Sequence, residues 1–355
     1  MPTKEDVLKV LGGIDDPELR RPLTELDMID YVTIEGDIVT VGVLLTIPGC
    51  PMKRKISDDI ENGVGALEGV KKVKVEFDSM GPKQREELRQ KLGGKLTASG
   101  GSGPTIEKFA KRFIAVSSGK GGVGKSTVAA NLAAAMARKG LKVGILDADV
   151  YGFSIPRMLG VMGTPTAIDN NIVPLRRGDN LQVVSMGFFV DEDEPVIWRG
   201  PLLHKAITQF LTDVIWDELD YLFLDLPPGT GDVTLTIAQA VPSAELLVVT
   251  TPQDTATHVA GRVAKLATRT KLKVIGVVEN MAYYETDGGR DYIFGKDGGK
   301  QLANRLGVPL LAEIPLRKSI REGCDNGNPV ALEGDSSEVS LFESIAEQIA
   351  AMDGR

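Results

Sequence analysis

The sequence predicts an α/β fold: a mostly parallel sheet covered by helices on both faces, preceded by a small α+β domain. Three observations carry this. Seven apolar runs, at residues 113–116, 143–146, 181–185, 221–224, 246–249, 274–278 and 308–311, alternate with helical stretches. They are continuous rather than alternating in polarity, the pattern of strands buried on both faces of a parallel sheet. Residues 93–105 hold the one flexible-linker composition, Gly93-Gly94 through Gly100-Gly101-Ser102-Gly103-Pro104, which offers nothing to a core.

Ahead of that linker, residues 1–92 read as a separate module. Residues 5–11 form a short helix, and 28–34 and 38–47 form two strands turning at Glu35-Gly36-Asp37. A helix over 51–67 follows, then a strand over 70–77 with Val73, Val75 and Phe77 alternating, then a charged helix over 82–92. The larger domain is expected to span residues 106–355.

Composition excludes several classes. The 355 residues are 42% hydrophobic and 25% charged, with 41 Lys+Arg against 49 Asp+Glu, the proportions of a globular protein rather than a disordered or fibrous one. A net charge of −8 argues against bulk affinity for nucleic acid or anionic lipid, which rests on summed positive charge. The charged start Lys4-Glu5-Asp6 does not resemble an export signal, and no apolar run approaches the roughly 18 residues of a membrane span. A cytoplasmic location is therefore expected. Two cysteines, Cys50 and Cys324, and two histidines, His204 and His258, cannot build a zinc finger or a four-cysteine cage within one chain.

Gly119-Lys120-Gly121-Gly122-Val123-Gly124-Lys125-Ser126 fits G-x-x-x-x-G-K-[ST], between a predicted strand and a predicted helix over 126–138. Glycines let the backbone curl so that successive N–H groups and the helix N-terminus face a β-phosphate. Lys125 then neutralises the terminal phosphates and the Ser126 hydroxyl ligates Mg²⁺. Downstream, Tyr221-Leu222-Phe223-Leu224-Asp225 delivers a carboxylate from a buried strand toward the metal, Asp225 acting through water. The loop Pro227-Pro228-Gly229-Thr230-Gly231-Asp232 lies where a γ-phosphate sensor belongs, so a nucleoside triphosphatase is the economical reading. Asp147 and Asp149 close another strand; either both are solvated strand-end groups, or Asp149 orients the attacking water.

With Lys120 inside the loop and Thr127 behind it, the motif resembles the deviant Walker A of the MinD/ParA/nitrogenase-reductase superfamily. The nearer resemblance is to the Mrp/ApbC group of iron–sulfur cluster carrier ATPases. It rests on Ala115-Val116-Ser117-Ser118 leading into the loop, Leu146-Asp147-Ala148-Asp149-Val150-Tyr151-Gly152, Asp225-Leu226-Pro227-Pro228-Gly229-Thr230-Gly231-Asp232, and Val278-Glu279-Asn280-Met281. Asp15-Asp16-Pro17-Glu18 and Leu44-Leu45-Thr46-Ile47-Pro48-Gly49-Cys50-Pro51 likewise resemble the cluster-assembly domain fused ahead of the ATPase in many members. The resemblance implies a P-loop NTPase fold, ATP and Mg²⁺, a face-to-face homodimer in which Lys120 reaches the partner's nucleotide, and Asn280 on the adenine edge. It further implies carriage of clusters to client apoproteins.

The sequence departs from that group at one place. The C-x-x-C pair that usually follows Asn-Met corresponds here to Thr286 and Gly289, neither a useful soft-metal ligand. Relatives in plant chloroplasts and cyanobacteria resemble this variant. What remains for Fe–S ligation is Cys50, expected at a helix N-terminus beside Lys53, Arg54 and Lys55, and Cys324, expected in a Gly/Asn-rich loop. Cys50 also reads as a small buried hydrophobe, and Cys324 as a loop thiol of no particular role. His204 and His258 read as structural or surface residues.

Two other functions fit parts of the chain. A MinD/ParA-like positioning switch would need a basic amphipathic terminal helix or exposed basic clusters. Residues 339–352 carry Glu343 and Glu347 without Lys or Arg, which predicts a packed helix. The runs Lys71-Lys72 with Lys74, and Arg262, Lys265, Arg269 and Lys271, are modest. A small-molecule P-loop kinase would need an arginine-bearing lid, for which residues 151–201 with Arg176, Arg177 and Arg199 are the candidate.

Overall fold

Strands that are apolar throughout need cover on both faces, and in the computed structural model all seven predicted runs join one sheet. The structure describes residues 2–17, 19, 21–46, 52–91, 109–150, 152–168, 171–189, 200–229, 231–253, 262, 266–267, 269–333 and 336–352. The chain divides into two compact units: Met1–Ser99 with Thr166–Val173, and Gly100–Pro165 with Pro174–Arg355.

In the first unit, α1 (Lys4–Leu11) is opened by a capping box in which Thr3 and Asp6 satisfy each other's backbone N–H groups. Strands β1 (Ile29–Glu35), β2 (Ile38–Leu45) and β3 (Lys72–Ser79) form a three-stranded sheet in that order, β1 antiparallel and β3 parallel to β2. The parallel β2–β3 pair requires a crossover, supplied by α2 (Lys53–Gly65), whose Ile56, Ile60 and Val64 recur at helical spacing and are buried. The charged helix α3 (Pro82–Lys91) closes the described part of this unit. Between α3 and Phe109 the predicted linker lies outside the described residues.

The second unit contains β4 (Ala110–Ser117), β5 (Val143–Asp147), β8 (Leu175–Arg177), β9 (Leu181–Ser185), β10 (Leu219–Asp225), β11 (Glu245–Thr250), β12 (Lys273–Glu279) and β15 (Leu310–Glu313). The two short hairpins, β6 (Ala167–Ile168) with β7 (Asn171–Ile172) and β13 (Tyr284–Thr286) with β14 (Gly289–Asp291), form sheets of their own. The large sheet runs β15-β12-β11-β4-β10-β5-β9-β8, parallel except for edge strand β8. Neither β8 nor the hairpins were legible as apolar runs, because they are short and partly exposed.

Helix α4 (Lys125–Arg138) packs on one face with almost every residue buried, and its alanines permit close approach to the sheet. Helices α5 (Ile155–Met158), α6 (Gly200–Thr212), α7 (Asp232–Ala240), α8 (Gly298–Leu306), α9 (Lys318–Asp325) and α10 (Ser337–Ala351) complete the described helices named here. The terminal α10 is packed as predicted: Val339, Phe342, Ile345, Ala346 and Ile349 are buried, Glu343 pairs with Arg138, and Glu347 pairs with Lys139. Among the described residues no helix is long and apolar enough to cross a membrane.

Candidate nucleotide site

Parallel strands deliver their C-terminal ends to one edge of the sheet, and β4, β5, β10 and β12 all end there in polar residues. The loop from β4 to α4 has Gly122 at φ +78° and Gly124 at φ +79°, left-handed conformations that favour glycine. At Gly124 a side chain is excluded twice over, since a Cβ would stand 2.2 Å from Asn280 Nδ2. Gly124 is the N-cap of α4 and supplies no capping side chain, so the helix's first N–H groups are left for an anion. The loop lines a cleft of about 230 Å³ together with Ser118, Lys120, Asp149, Gly152, Ser154, Met158 and Pro228.

Lys125 and Asp225 form a buried ion pair, Nζ to Oδ1 at 2.6 Å. The Ser126 hydroxyl donates to the other oxygen, Oδ2, at 2.6 Å, and Lys125 Nζ lies 3.2 Å from Ser126 Oγ. One carboxylate thus fixes both side chains that the motif assigns to phosphate and metal. Burial drives the Asp225 carboxyl above the usual carboxylate range, opposed by the charge and hydrogen bonds of Lys125 and Ser126. This hydroxyl and carboxylate are hard oxygen donors, which suits Mg²⁺; such a site takes few protein ligands and completes itself with waters and phosphate.

Asp147 and Asp149 are both buried, which removes the solvated strand-end reading. Asp149 faces the cleft, and its Oδ1 accepts from Gly152 N at 3.2 Å. Asp147 sits beneath it on β5, paired in register with Asp225. Its carboxyl is pushed up to about 7, first by burial and then by the neighbouring Asp225. Both are buried, and what distinguishes them is placement: Asp149 lines the cleft, whereas Asp147 is enclosed by the backbone N–H groups of Ser154 and Ile155.

The remaining predicted residues divide. Lys120 is exposed at the cleft, and its Nζ donates to Gln253 Oε1 of the same chain at 3.1 Å. Asn280 is buried and donates from Nδ2 to the Val123 carbonyl at 2.9 Å, so its amide supports the loop. Thr127 contributes its carbonyl to Asn131 Nδ2 at 2.9 Å. The sensor loop is tied to β4 by Leu226 N on Val116 O and Gly229 N on Ser118 O, at 3.1 and 2.8 Å; Thr230 lies outside the described residues.

Three expectations need correction. Cys324 is not in a loop: it lies on α9, buried one helical turn from Ile320, with Sγ accepting from Asn131 Nδ2 at 3.5 Å. Burial pushes its thiol up to about 11, so Cys324 sits in the structure as a protonated, enclosed thiol on a helix rather than an open loop thiol. The kinase lid is removed. Arg176 is paired with Asp217 at 2.6 Å and Arg177 donates to Asn328 at 3.1 Å, so neither is free to close on a second phosphate acceptor, and Arg199 lies outside the described residues. Finally, α2 begins at Lys53 rather than 51, with Lys53 over the Phe77 ring and Lys55 paired with Asp59. Cys50 itself lies outside the described residues, as does His258. His204 contacts the Thr236 hydroxyl at 3.1 Å, a packing role on α6.

The positions of the missing cysteine pair are visible. Thr286 and Gly289 face each other in the exposed β13–β14 hairpin, with Thr286 Oγ1 donating to Gly289 O at 2.9 Å.

Residues 109–350 match the family model of the NUBPL iron-transfer P-loop NTPases, and residues 4–77 match that of the iron–sulfur cluster assembly proteins. The chain belongs to the NUBPL iron-transfer P-loop NTPase family. Among relatives, the iron–sulfur cluster carrier protein of Mycobacterium leprae is 46% identical over 95% of this chain and 89% of its own. That of Synechocystis is 42% identical over 99% and 98%. Among solved structures, a nucleotide-binding protein of Archaeoglobus fulgidus in complex with ADP is 38% identical, with a TM-score of 0.57, covering 65% of this chain and 92% of that one. This NTPase thus carries its glycine loop in a cleft at the ends of the parallel strands, with its N-terminal module also matched.

Proposed function

We propose that this NTPase is an ATP-hydrolysing carrier that binds iron–sulfur clusters and passes them to client apoproteins, with ATP as substrate and the cluster as cargo. The observation that supports it most is the buried Lys125–Asp225–Ser126 constellation under the glycine loop of a chain belonging to an iron-transfer family. The loop N–H groups and the α4 N-terminus hold the β-phosphate, and Lys125 neutralises the terminal phosphates. The Ser126 hydroxyl, and Asp225 through water, would hold Mg²⁺, which would supply charge neutralisation at the phosphate oxygens. Asp149, in the cleft wall, orients the attacking water. In a homodimer the partner subunit's Lys120 stabilises the charge that develops in the transition state, the part an arginine finger plays elsewhere.

For the cargo, the ligand favoured is Cys50, since Cys324 is enclosed on α9. One Cys50 from each of two subunits gives two thiolates, half of a four-thiolate shell. External thiols or the client complete it, which makes the cluster labile by construction. Anaerobic reconstitution with iron and sulfide tests this: the visible chromophore is expected in the wild type and in Cys324→Ser, and is expected to be lost in Cys50→Ser. A wild type without chromophore, or an undiminished Cys50→Ser, defeats the carrier assignment while leaving the ATPase assignment standing.

A further inference from the structure

The ATPase reading uses Asp149 but leaves the buried carboxylate two residues earlier without a task. Asp147 has no exposed surface. Its Oδ1 accepts from Asp149 N at 3.2 Å, where the chain leaves β5. Its Oδ2 accepts from Ser154 N at 2.9 Å and Ile155 N at 3.1 Å, where the chain enters α5, and from Ser185 Oγ at 3.3 Å on the neighbouring strand β9. Helix α5 has Ser154 at its N-cap without a side-chain cap of its own, so Asp147 satisfies the N–H groups there. A single carboxylate therefore clasps both ends of the loop that carries Asp149. Ser185 is itself fixed, because its Oγ accepts from Gly187 N at 3.0 Å. A buried carboxylate beside Asp225 is costly to keep, and simple capping of a four-residue helix does not require one.

We infer that Asp147 is a positioning residue for hydrolysis: it sets the place of the Asp149 carboxylate over the cleft by holding the two ends of its loop. The inference rests on the ATPase reading and names a second residue of the same site. An Asp147→Asn side chain retains one acceptor oxygen but turns an amide NH₂ toward donors at the other end, so one end of the clasp opens while the volume is kept. Displacements on the order of 1 Å in such a group cost up to about a hundredfold in rate.

Steady-state ATP hydrolysis by the full-length protein tests the idea through coupling. Asp147→Asn is expected to lower kcat about tenfold or more, with KM and the affinity for a fluorescent ADP analogue changed less than about threefold. In an Asp149→Ala background, Asp147→Asn is expected to cost nothing further, because its effect runs through Asp149. A purely structural residue would lower activity by the same factor in both backgrounds, and that additivity overturns the inference. So does loss of nucleotide affinity in step with kcat. Should Asp147→Asn fail to fold, Ser185→Ala removes one donor of the clasp and decides instead: a drop in kcat that vanishes in the Asp149→Ala background supports the inference, and an unchanged or additive rate overturns it. If Asp149→Ala alone keeps wild-type kcat, the role proposed for Asp149 falls as well; if it loses activity while Asp147→Asn does not, only the present inference falls.

Discussion

Two places on the second unit, both following ends of parallel strands, differ in how their polar groups are spent. Under the glycine loop, Lys125, Ser126 and Asp225 are buried and bonded to one another, and Asn280 braces the loop from below. At the β13–β14 hairpin, all six strand residues are exposed, and the positions that usually hold cysteines are joined by a threonine hydroxyl and a glycine carbonyl. The polar groups of the first place are spent on one another in the interior, and those of the hairpin lie at the surface. Its anchors are ionic and aromatic: Glu285 pairs with Arg317, and the Arg290 guanidinium lies 4.0 Å from the centre of the Tyr283 ring. The chain's two thiols, Cys50 and Cys324, both lie outside this hairpin.

The most severe test of the comparison is Lys125→Ala. It removes the phosphate cation and leaves Asp225 buried with only Ser126 of its two partners, a loss worth about 3–5 kcal/mol when a buried pair is broken on one side. ATP binding and turnover are expected to vanish, as measured by equilibrium binding and phosphate release. Lys120→Ala sharpens the same contrast from the cleft rim. Its Nζ donates to the Gln253 side chain at the exposed rim of the cleft, so folding and nucleotide affinity are expected to stay within about twofold. Turnover is expected to fall by about a thousandfold, the lower range for a charge supplied in trans. Undiminished turnover in both variants would exclude the site.

How much of this was legible in the sequence follows from the range of the interactions. The glycine loop could be read because its chemistry depends on spacing within eight residues, and the seven strands because burial on both faces writes a continuous apolar run. The sequence favoured Asp149 for orienting water but offered no task for Asp147, since that depends on Ser154, Ile155 and Ser185, which fold around Asp147 alone. Arg176 and Arg177 looked available for a lid because Asp217 and Asn328 lie far along the chain. Cys324 was misplaced because Gly323, Asn326 and Gly327 suggest a loop, while its pairing with Ile320 four residues earlier is the buried stripe of a helix.

An intermediate effect is expected from restoring the missing pair with Thr286→Cys/Gly289→Cys. Position 289 has φ +117°, where a side chain is strained by on the order of 1–3 kcal/mol, and the Thr286 hydroxyl bond is lost as well. The hairpin is exposed and self-contained, so this strain should lower the melting temperature by a few degrees without unfolding the unit. Reconstitution in a Cys50→Ser background is expected to regain a chromophore. A double variant that folds yet stays colourless would show that the hairpin has lost more than its thiols, and the contrast between the two sites would deepen.

The smallest effect concerns Cys324, whose thiol should be silent in the native protein. With its ionisation pushed up to about 11 and only Asn131 Nδ2 beside it, a negligible fraction is thiolate at pH 8. In Cys50→Ser, a thiol reagent is therefore expected to label no cysteine in native buffer and one in denaturant. The sign of the accompanying pH dependence is fixed by the same shift. The folded protein holds this proton more tightly than the unfolded chain, whose thiol ionises near 9, so the contribution is intact below that range and is lost as pH rises toward 11. The full difference corresponds to about 2–3 kcal/mol. Urea midpoints of Cys50→Ser and Cys50→Ser/Cys324→Ala, compared at pH 8 and pH 10.5, isolate it: the gap between the two proteins should narrow at the higher pH. Rapid native labelling, or a gap that widens, would mean that Cys324 reaches solvent as thiolate and would return it to the candidates for cluster ligation.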